Sequence, residues 1–437
     1  MSDLPPGAPT PWAAPPAGTV TVYRGATLFD GTGDRPRTDT TIVTDGARIH
    51  TVVGDGDPLP PLAADAPRVD LDGRFVVPGL IDTHQHLATP PDRPVAEAVL
   101  RRLVHSGVTA VRDMADDLRQ IGDLARATLV GEIPGPDIRY AALMAGPSFF
   151  DDPRTHEVSR GATPGAVPWM QAVTPDTDLT IAVALARGTH AAAIKVYADL
   201  DATTVAAVTA EAHRQGIAVW AHATVFPAAP GEVVAAGVDS VSHVTLLAFE
   251  SPTEPLTSYK TKPPVDHDRF ATGDDPQLAA LFAEMRRRGT VLDATASMWT
   301  SDELRGDTAE SAERARRNTE LAAAVTTQAH RAGVGVCTGT DFETDPDDPF
   351  PALYGELAFL VDRCGIPAAN VLRSATLVGA KAAGTEADMG SVEAGKLANF
   401  AVLDENPLRD IANLRTITLT VKRGRRFDRA DFEKDAK

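Results

Sequence analysis

The sequence predicts an α/β protein: a (β/α)8 TIM barrel with a small β-sandwich domain built from both ends of the chain. Between residues 78 and 387, short apolar runs alternate with amphipathic segments, which is the pattern of parallel strands joined by helices. β-Branched runs broken by turn signals fill the two ends of the chain. Several amphipathic segments end at a glycine, as helices commonly do before the next strand begins.

Eight apolar runs are the candidate barrel strands. They cover residues 79–86, 108–115, 138–145, 192–199, 218–223, 240–244, 290–298 and 334–341. Predicted helices separate most of them, for example at 95–106, 203–215, 277–288 and 311–332. Such a series suits a closed barrel, whose active site lies at the carboxyl ends of its strands. An open doubly wound sheet is the alternative, but no glycine-rich GxGxxG follows the first strand.

The two chain ends are predicted to build one β-domain. Residues 1–18 are rich in Pro, Ala and Gly, which predicts a flexible N-terminal tail. Short strands are predicted at 19–23, 41–44 and 49–53, as a small antiparallel sheet, and again at 399–403 and 415–422. We therefore predict a composite β-sandwich domain from 19–77 and 388–437, with the barrel at 78–387.

Two long connections leave the predicted catalytic face of the barrel, at 146–179 and 245–275. Connections longer than about 15 residues are usually functional or disordered. We expect these two to form the walls of a substrate cavity.

Composition narrows the class of partner. The chain has 437 residues and a net charge of −18, which argues against nucleic acid or an anionic membrane surface as a partner. No stretch approaches the roughly 18 apolar residues of a membrane-spanning helix, and the N-terminus lacks the pattern of a secretory signal. We expect a cytoplasmic enzyme with a small-molecule substrate, and leave a homo-oligomer open. Cys337 and Cys364 lack metal-ligand spacing and are expected to be buried.

Polar side chains gather at the ends of the predicted strands. His84 and His86 close the first strand at i and i+2, so their side chains point the same way. His222 and His243 end the fifth and sixth strands, and Asp341 ends the eighth. Each alone has an ordinary explanation, such as a packed histidine or a helix-capping aspartate. Together at one mouth they predict a metal site, because imidazole and carboxylate are ligands of zinc and its neighbours.

Lys195 in the fourth predicted strand extends this metal site. An ammonium is a poor metal ligand and is costly to bury. A lysine with a lowered pKa can instead react with CO2 to form a carbamate, whose oxygens can bridge two cations. We therefore predict two divalent metal ions, with zinc as the first expectation, and the carbamate of Lys195 between them. The first histidine pair would hold one ion, the second pair the other, and Asp341 would ligate the first and hold the bridging water.

Several motifs resemble those of the amidohydrolase superfamily. They are Val77-Pro-Gly-Leu-Ile-Asp-Thr-His-Gln-His86, Gly107-Val-Thr-Ala-Val-Arg-Asp113, Ile194-Lys-Val196, Thr340-Asp341 and the segments 374–384 and 390–404. The resemblance covers almost the whole chain from about residue 20. It implies a barrel with a β-domain and, as in the two-metal members, a carboxylated lysine at Lys195. The nearest subgroup is the imidazolonepropionase-like amidohydrolases, which include Xaa-Pro dipeptidases.

The sequence departs from the motifs of its relatives at two positions, and these differences disfavour two activities. Ser242 precedes His243 where this subgroup often has a glutamate, and true imidazolonepropionases resemble one-metal enzymes without the lysine found here as Lys195. Deaminase relatives carry a glutamate shortly after the fifth-strand histidine, but His222 is followed by Ala-Thr-Val-Phe-Pro. Imidazolonepropionase and deaminase activities are therefore disfavoured.

The predicted reaction is hydrolysis of a C–N bond in an amide, a peptide-like substrate or a cyclic amide. A metal-bridging hydroxide is the expected nucleophile, because bound metals lower the pKa of water from about 16 toward 7. Asp341 is the predicted catalytic residue, which passes a proton to the leaving nitrogen. Tyr197 and His156 are expected to bind substrate. The alternatives left open are ester hydrolysis, decarboxylation or lyase chemistry at the same metals, and a catalytically silent paralogue.

Overall fold

The computed structural model describes residues 10–33, 35–89, 91–300, 308–341 and 348–435. The strands are, in chain order, β1 (Val20–Leu28), β2 (Arg37–Asp45), β3 (Arg48–Gly54), β4 (Arg68–Asp70), β5 (Phe75–Pro78), β6 (Leu80–Gln85), β7 (Val108–Asp113), β8 (Asp137–Ala145), β9 (Ala166–Val167), β10 (Met170–Ala172), β11 (Ala193–Val196), β12 (Ala218–His222), β13 (Ser240–Ser242), β14 (Val291–Asp293), β15 (Val336–Cys337), β16 (Phe400–Leu403), β17 (Ile417–Lys422) and β18 (Arg425–Asp428).

The α-helices of the same ranges are α1 (Arg93–His105), α2 (Leu118–Val130), α3 (Pro153–Val158), α4 (Leu179–Gly188), α5 (Ala202–Arg214), α6 (Pro230–Ala235), α7 (His267–Phe270), α8 (Pro276–Arg288), α9 (Ala309–Arg331), α10 (Leu353–Asp362), α11 (Ala368–Arg373), α12 (Gly379–Ala382) and α13 (Arg429–Asp435). Short 3-10 turns lie at Pro61–Ala63, Pro147–Asp151, Val244–Glu250 and Ile411–Thr416, and a π-helical turn lies at Ser374–Val378.

The barrel consists of β6, β7, β8, β11, β12, β13, β14 and β15 in that order, and every neighbouring pair is parallel. The ring closes between its last and first strands through hydrogen bonds from Thr83 N to Thr338 O (2.8 Å) and from Asp341 N to His84 O (2.9 Å). Parallel neighbours require crossover connections, most of which here contain helices. The predicted (β/α)8 architecture is confirmed, and each of the eight predicted strands overlaps a barrel strand.

The last two barrel strands are shorter than the sequence predicts. The predicted strands 290–298 and 334–341 contain β14 and β15, which end at Asp293 and Cys337. Beyond these ends the chain turns at Thr295 and Asp341, whose φ angles are 43° and 68°. A left-handed residue cannot continue the extended backbone of a strand, so the chain leaves the sheet there. Cys337 is buried, as is Cys364, in agreement with the prediction.

The long connection 146–179 adds two strands that the sequence analysis did not predict. β10 pairs in parallel with the carboxyl end of β8, and β9 pairs antiparallel with β10. These strands have three and two residues, which is too short for a period of two to be visible in the sequence. They extend the sheet above the barrel and give this connection a fixed backbone.

Strands from both chain ends form a second sheet, in the order β18, β17, β16, β5, β1, β2, β3, with β4 beside β1. This origin agrees with the predicted fold class, and hydrogen bonds join these strands into one sheet. The sheet is mixed, because β1 runs parallel to both β4 and β5. β1 pairs antiparallel with β2, and β2 with β3, as predicted for 19–23, 41–44 and 49–53, whereas the parallel pairing of β1 with β4 and β5 was not predicted. Local patterning marks the strands but does not show which distant strands pair.

Part of the predicted flexible tail packs against the folded chain. Residues 1–9 lie outside the described residues. The Trp12 ring stacks on Phe427, with centroids 5.6 Å apart, and Trp12 N donates to Gly131 O at 3.0 Å. The Pro- and Ala-rich composition predicts a flexible tail, but Trp12, together with hydrogen bonds from Thr10 and Gly18, attaches residues 10–18 to the folded chain.

Candidate metal centre and substrate cavity

A cavity of about 370 Å³ opens at the carboxyl ends of the barrel strands. It contains all six predicted metal ligands, which are His84, His86, Lys195, His222, His243 and Asp341. They come from β6, β11, β12 and the residues that follow β6, β13 and β15. Because parallel strands end at the same edge of a barrel, residues far apart in sequence meet here.

Three potential metal ligands from different barrel strands lie close together among the described residues. One ligand atom from each of His84, His243 and Asp341 lies within 4.8 Å of the others. The Nε2 atoms of His84 and His86 lie 2.9 and 3.4 Å from Asp341 Oδ1. The rings of His222 and His243 are 4.8 Å apart between centroids. The two predicted histidine pairs are therefore adjacent, with Asp341 near both members of the first pair.

Buried carboxylates orient the first histidine pair. His84 Nδ1 lies 2.6 Å from Asp293 Oδ2, and His86 Nδ1 lies 2.9 Å from Asp116 Oδ1. An ionised carboxylate only accepts hydrogen bonds, so each Nδ1 donates to its carboxylate and Nε2 is the nitrogen left to face the cavity. These Nε2 atoms are the ones that face Asp341. A carboxylate behind a histidine is the usual arrangement for a metal ligand.

The second histidine pair is neutral and is also available for ligation. His243 Nδ1 lies 2.9 Å from Thr295 Oγ1. His222 Nδ1 is buried and has no hydrogen-bond partner among the described residues. Burial lowers the pKa of His243 to about 3 and holds the pKa of His222 well below its ordinary value. Both rings therefore carry a lone pair at neutral pH, as metal ligation requires.

Lys195 is fully buried and lies within a short chain of hydrogen bonds. Its Nζ donates to Ser242 Oγ at 3.2 Å, and Ser242 Oγ donates to Asp293 Oδ2 at 2.9 Å. Burial lowers the pKa of the Lys195 ammonium to about 7, against the opposing influence of Asp293. A substantial fraction of this lysine is therefore a neutral amine at neutral pH.

Asp293 is the centre of this network. Its carboxylate also accepts from Thr83 Oγ1 at 3.0 Å and lies 3.2 Å from Arg112 Nη2. Burial opposes ionisation, but His84 and Arg112 hold the pKa of Asp293 well below its ordinary range. The Arg112 guanidinium in turn lies 4.5 Å from the centroid of the Trp220 ring. Asp293 is therefore an ionised acceptor that fixes His84 and Ser242 together.

Sequence reasoning missed Asp293, Asp116, Arg112, Ser242 and Thr295 as parts of the site. Asp293 ends the seventh barrel strand, but the predicted strand runs on to residue 298, so Asp293 does not stand at a predicted strand end. Arg112 was visible within the motif at 107–113, without an assigned role. Asp116 and Thr295 follow their strands by two or three residues, and no local pattern shows that they meet His86 and His243.

Left-handed backbone is concentrated around the cavity. Ala115, Asp199, His243, Thr295 and Asp341 have φ angles of 85°, 55°, 71°, 43° and 68°, and each follows a barrel strand. This conformation costs a non-glycine residue about 1–2 kcal/mol. Strained backbone clusters at functional sites when the surrounding structure enforces it. Here it turns His243 and Asp341 into the cavity directly after their strands.

An aromatic wall covers one side of the metal ligands. The Tyr197 ring contacts His222 and Phe149, with centroids 3.9 and 4.5 Å apart. The hydroxyls of Tyr197 and Tyr259 lie 3.5 Å apart. This arrangement brings Tyr197 to the cavity, as expected, and places Tyr259 of the second long connection beside it.

One carboxylate fastens both long connections to the barrel. Asp199 accepts from Ser148 Oγ at 2.7 Å in the first connection. It also accepts from Ser258 Oγ at 3.1 Å and from Tyr259 N at 2.8 Å in the second. Both segments contribute residues to the cavity, in agreement with the expectation that they form its walls.

The structure does not bring His156 to the cavity, which corrects the prediction that it binds substrate. His156 lies on α3 and is exposed. Arg154, Thr155 and Val158 of the same helix line the cavity instead. Positions 155 and 158 are three residues apart and share one face of the helix, from which 156 is turned away.

The donor set fits divalent metal ions. Four imidazoles and one carboxylate converge with oriented or unpartnered nitrogens, and a buried lysine lies beside them. Nitrogen ligands of this kind suit zinc and its first-row neighbours. In chemical type and orientation, these residues are compatible with a site for divalent metal ions.

The chain matches the Amidohydrolase family over residues 75–427 and belongs to this family. It is therefore a hydrolase that acts on carbon–nitrogen bonds, which confirms the predicted enzyme class and the superfamily resemblance.

Solved structures share the whole fold. A Xaa-Pro dipeptidase with methionine bound in its active site has a TM-score of 0.73 and 22% identity, covering 94% of this chain and 100% of that one. Ochratoxinase from A. niger has a TM-score of 0.74 and 21% identity, covering 95% and 96%. A putative prolidase from Bifidobacterium longum has a TM-score of 0.68 and 26% identity, covering 96% and 98%. No curated protein matches the chain significantly. Among the described residues, no helix has the length and apolarity needed to cross a membrane.

Proposed function

We propose that this protein hydrolyses the C–N bond of a small amide, peptide-like or cyclic amide substrate at a centre of two divalent metal ions. His84 and His86 would hold one ion with Asp341, and His222 and His243 would hold the other. Lys195, as its carbamate, would lie between them, and zinc is the expected metal. The observation that carries the proposal is the orientation of the ligand nitrogens. Buried acceptors occupy the Nδ1 atoms of the first pair and leave their Nε2 atoms facing Asp341.

When bound, divalent metals lower the pKa of water so that hydroxide is available near neutral pH, and they polarise a carbonyl. The residues of the chain provide the proton transfer. Although burial opposes it, His84 and His243 hold the pKa of Asp341 well below its ordinary value, so its carboxylate is ionised and can accept a proton. Asp341 would take a proton from the attacking water and deliver it to the leaving nitrogen. General acid–base catalysis of this kind contributes about 10²–10⁴-fold.

Tyr197 would bind the substrate next to the reacting carbonyl. Burial raises the pKa of its hydroxyl well above the ordinary value, so the group remains a hydrogen-bond donor at neutral pH. Its ring is held by contacts with His222 and Phe149, which limits the positions that the hydroxyl can take. A fixed donor near the carbonyl stabilises negative charge that develops on the oxygen.

The names of two relatives support a peptide bond as one candidate: a Xaa-Pro dipeptidase and a putative prolidase share the fold of the chain. A panel of dipeptides, N-acyl amino acids, lactams and esters separates C–N hydrolysis from the other reactions that such a centre could perform. Cleavage of esters alone would contradict the proposal.

The metal centre is tested by measuring the metal content of each variant and its activity on the same panel of substrates. We expect about two metal ions per wild-type chain, and a sharp fall in both metal and activity in Lys195→Ala. Lys260→Ala is the matched control, because Lys260 is an exposed lysine that lies 4.0 Å from Asp151 and is absent from the cavity lining. A Lys195→Ala protein with both metals and full activity would overturn the carbamate assignment.

A further inference from the structure

Lys262 provides a positive charge in the cavity wall that forms no ion pair with an acidic group of the described residues. Its Nζ lies 3.9 Å from the centroid of the Tyr259 ring and 5.9 Å from that of Phe226. Within the described ranges, Lys262 makes no ion pair with an aspartate or glutamate.

The position of this charge is set by the barrel. Tyr259 N and Ser258 Oγ both donate to Asp199, which follows β11. Tyr259 thus stays beside the metal ligands, with its ring 5.8 Å from that of His222. Lys262 lies over the Tyr259 ring, and a cation over an aromatic face is held there electrostatically. The Lys262 side chain is exposed, and this contact places its ammonium at the cavity lining beside Tyr259.

The other charged groups of the cavity already have partners. Arg154 forms two hydrogen bonds to Asp152, from Nε to Oδ1 at 3.1 Å and from Nη2 to Oδ2 at 2.8 Å. Asp116 is bonded to His86, and Asp341 lies against the histidines. Among the described cavity residues, Lys262 is thus a cation that forms no ion pair, whereas Arg154 is paired with Asp152. A single ammonium beside tyrosine hydroxyls suits a monoanion such as a carboxylate.

The remainder of the cavity is apolar. Its surface includes Met114, Leu143, Phe149, Met170, Leu246 and Met298. Such a surface favours an apolar substrate body, with a few polar groups that fix its orientation.

We propose that Lys262 binds a carboxylate of the substrate, and that the preferred substrates are amides of apolar amino acids that retain a free carboxyl group. This inference rests on the proposed function for the identity of the cleaved bond. The anion-binding role of Lys262 itself rests on the geometry of the cavity.

The test compares N-acetyl-L-leucine with its carboxamide, N-acetyl-L-leucinamide, by release of acetate. The metal-loaded wild type should cleave the acid with a kcat/KM about tenfold higher, since a hydrogen bond to a charged group contributes about that factor. Lys262→Met should remove the preference, mainly through KM, whereas Lys262→Arg should retain part of it. Lys260→Met, two residues away and paired with Asp151, should behave like the wild type. The preference should also shrink as NaCl is added.

Binding of both compounds, measured by calorimetry, separates this inference from the proposed function. Equal affinity of the wild type for acid and carboxamide, or an unchanged preference in Lys262→Met, would overturn the inference while leaving C–N hydrolysis intact. If binding shows the preference but none of the panel amides is cleaved, the role of Lys262 stands and the proposed function fails.

Discussion

Asp293 accepts the Nδ1–H of His84 at 2.6 Å while its same oxygen accepts the hydroxyl of Ser242 at 2.9 Å. One carboxylate therefore orients a predicted metal ligand and the residue that contacts Lys195. We expect Asp293→Asn to weaken metal binding about 10–100-fold, the usual effect of losing such a partner. Titration of the metal-free protein in the presence of a competing chelator measures this change.

The control for this prediction is Asp404→Asn, which removes a surface carboxylate that pairs with Arg74. It should leave metal affinity unchanged. Unaltered metal affinity in Asp293→Asn would mean that His84 needs no orienting partner.

Ser242 is predicted to hold the modified form of Lys195. The nitrogen of a carbamate carries one N–H in a planar group, so an acceptor for that N–H sets the plane of both carbamate oxygens. Ser242→Ala removes the acceptor, which is worth about 1 kcal/mol or about fivefold in an equilibrium constant. The carbamate signal after ¹³C-bicarbonate labelling, followed by NMR, should fall at fixed bicarbonate and recover as bicarbonate is raised.

Ser240→Ala is the matched variant, because Ser240 lies on the same strand and accepts from Arg112. It should leave the carbamate signal close to that of the wild type. Equal signals in Ser242→Ala and the wild type at all bicarbonate concentrations would exclude this role for Ser242.

Substitution of Asp341 is predicted to lower turnover while leaving much of the metal bound. Asp341→Asn keeps an oxygen next to the histidines but cannot accept and return a proton. Turnover should fall by about 10²–10⁴-fold, with much of the metal retained. Elemental analysis and kcat on the same preparation test this expectation, and near-normal turnover would contradict the proton-transfer role.

Glu356 gives the protein a pH-dependent stability near neutrality. It lies on α10 and accepts from the backbone nitrogens of Ala296 and Ser297 at 3.0 and 2.7 Å. Burial raises its pKa from 4.5 to about 7. The folded chain therefore holds this proton over a pH range in which the unfolded chain has released it. The contribution of Glu356 to stability should fall as pH rises from about 4.5 to about 7, by on the order of 3 kcal/mol in total.

Glu356→Gln removes the titration and loses one of the two hydrogen bonds at every pH. Relative to the wild type, the variant should therefore become more stable as pH is raised from 5 to 8. Urea unfolding of the metal-free proteins at four pH values in this range measures the difference. A difference that is constant with pH would mean that Glu356 titrates normally.

The strand pattern and the residues at the strand ends could be predicted because both depend on local sequence. His84 and Asp341, for example, stand where apolar runs stop, and a barrel brings such positions together whatever lies between them. The same rule reaches Asp293 only once the true end of β14 is known, because the apolar pattern of the sequence continues to residue 298.

Other features depend on contacts between distant segments and could not be predicted. The bond from His86 to Asp116 joins two loop residues, and the pairing of β1 with β4 and β5 joins strands separated by others. The short helix α3 shows the same limit. Whether His156 or Thr155 faces the cavity depends on the rotation of one helical turn, which composition does not determine.

The contacts of Asp199 with Ser148 and Tyr259 attach the two long loops to the barrel, so that the two parts of the site are carried by different parts of the chain. The predicted metal ligands lie on the barrel strands or follow them, whereas the groups that would recognise a substrate are carried mostly by two loops attached at this one residue. Exchange of the loop tips can therefore change which compound is accepted without disturbing the metal ligands, provided that the serine and tyrosine attachments to Asp199 are kept. An enzyme built in this way can acquire new substrates through its loops while the residues that perform the chemistry stay the same.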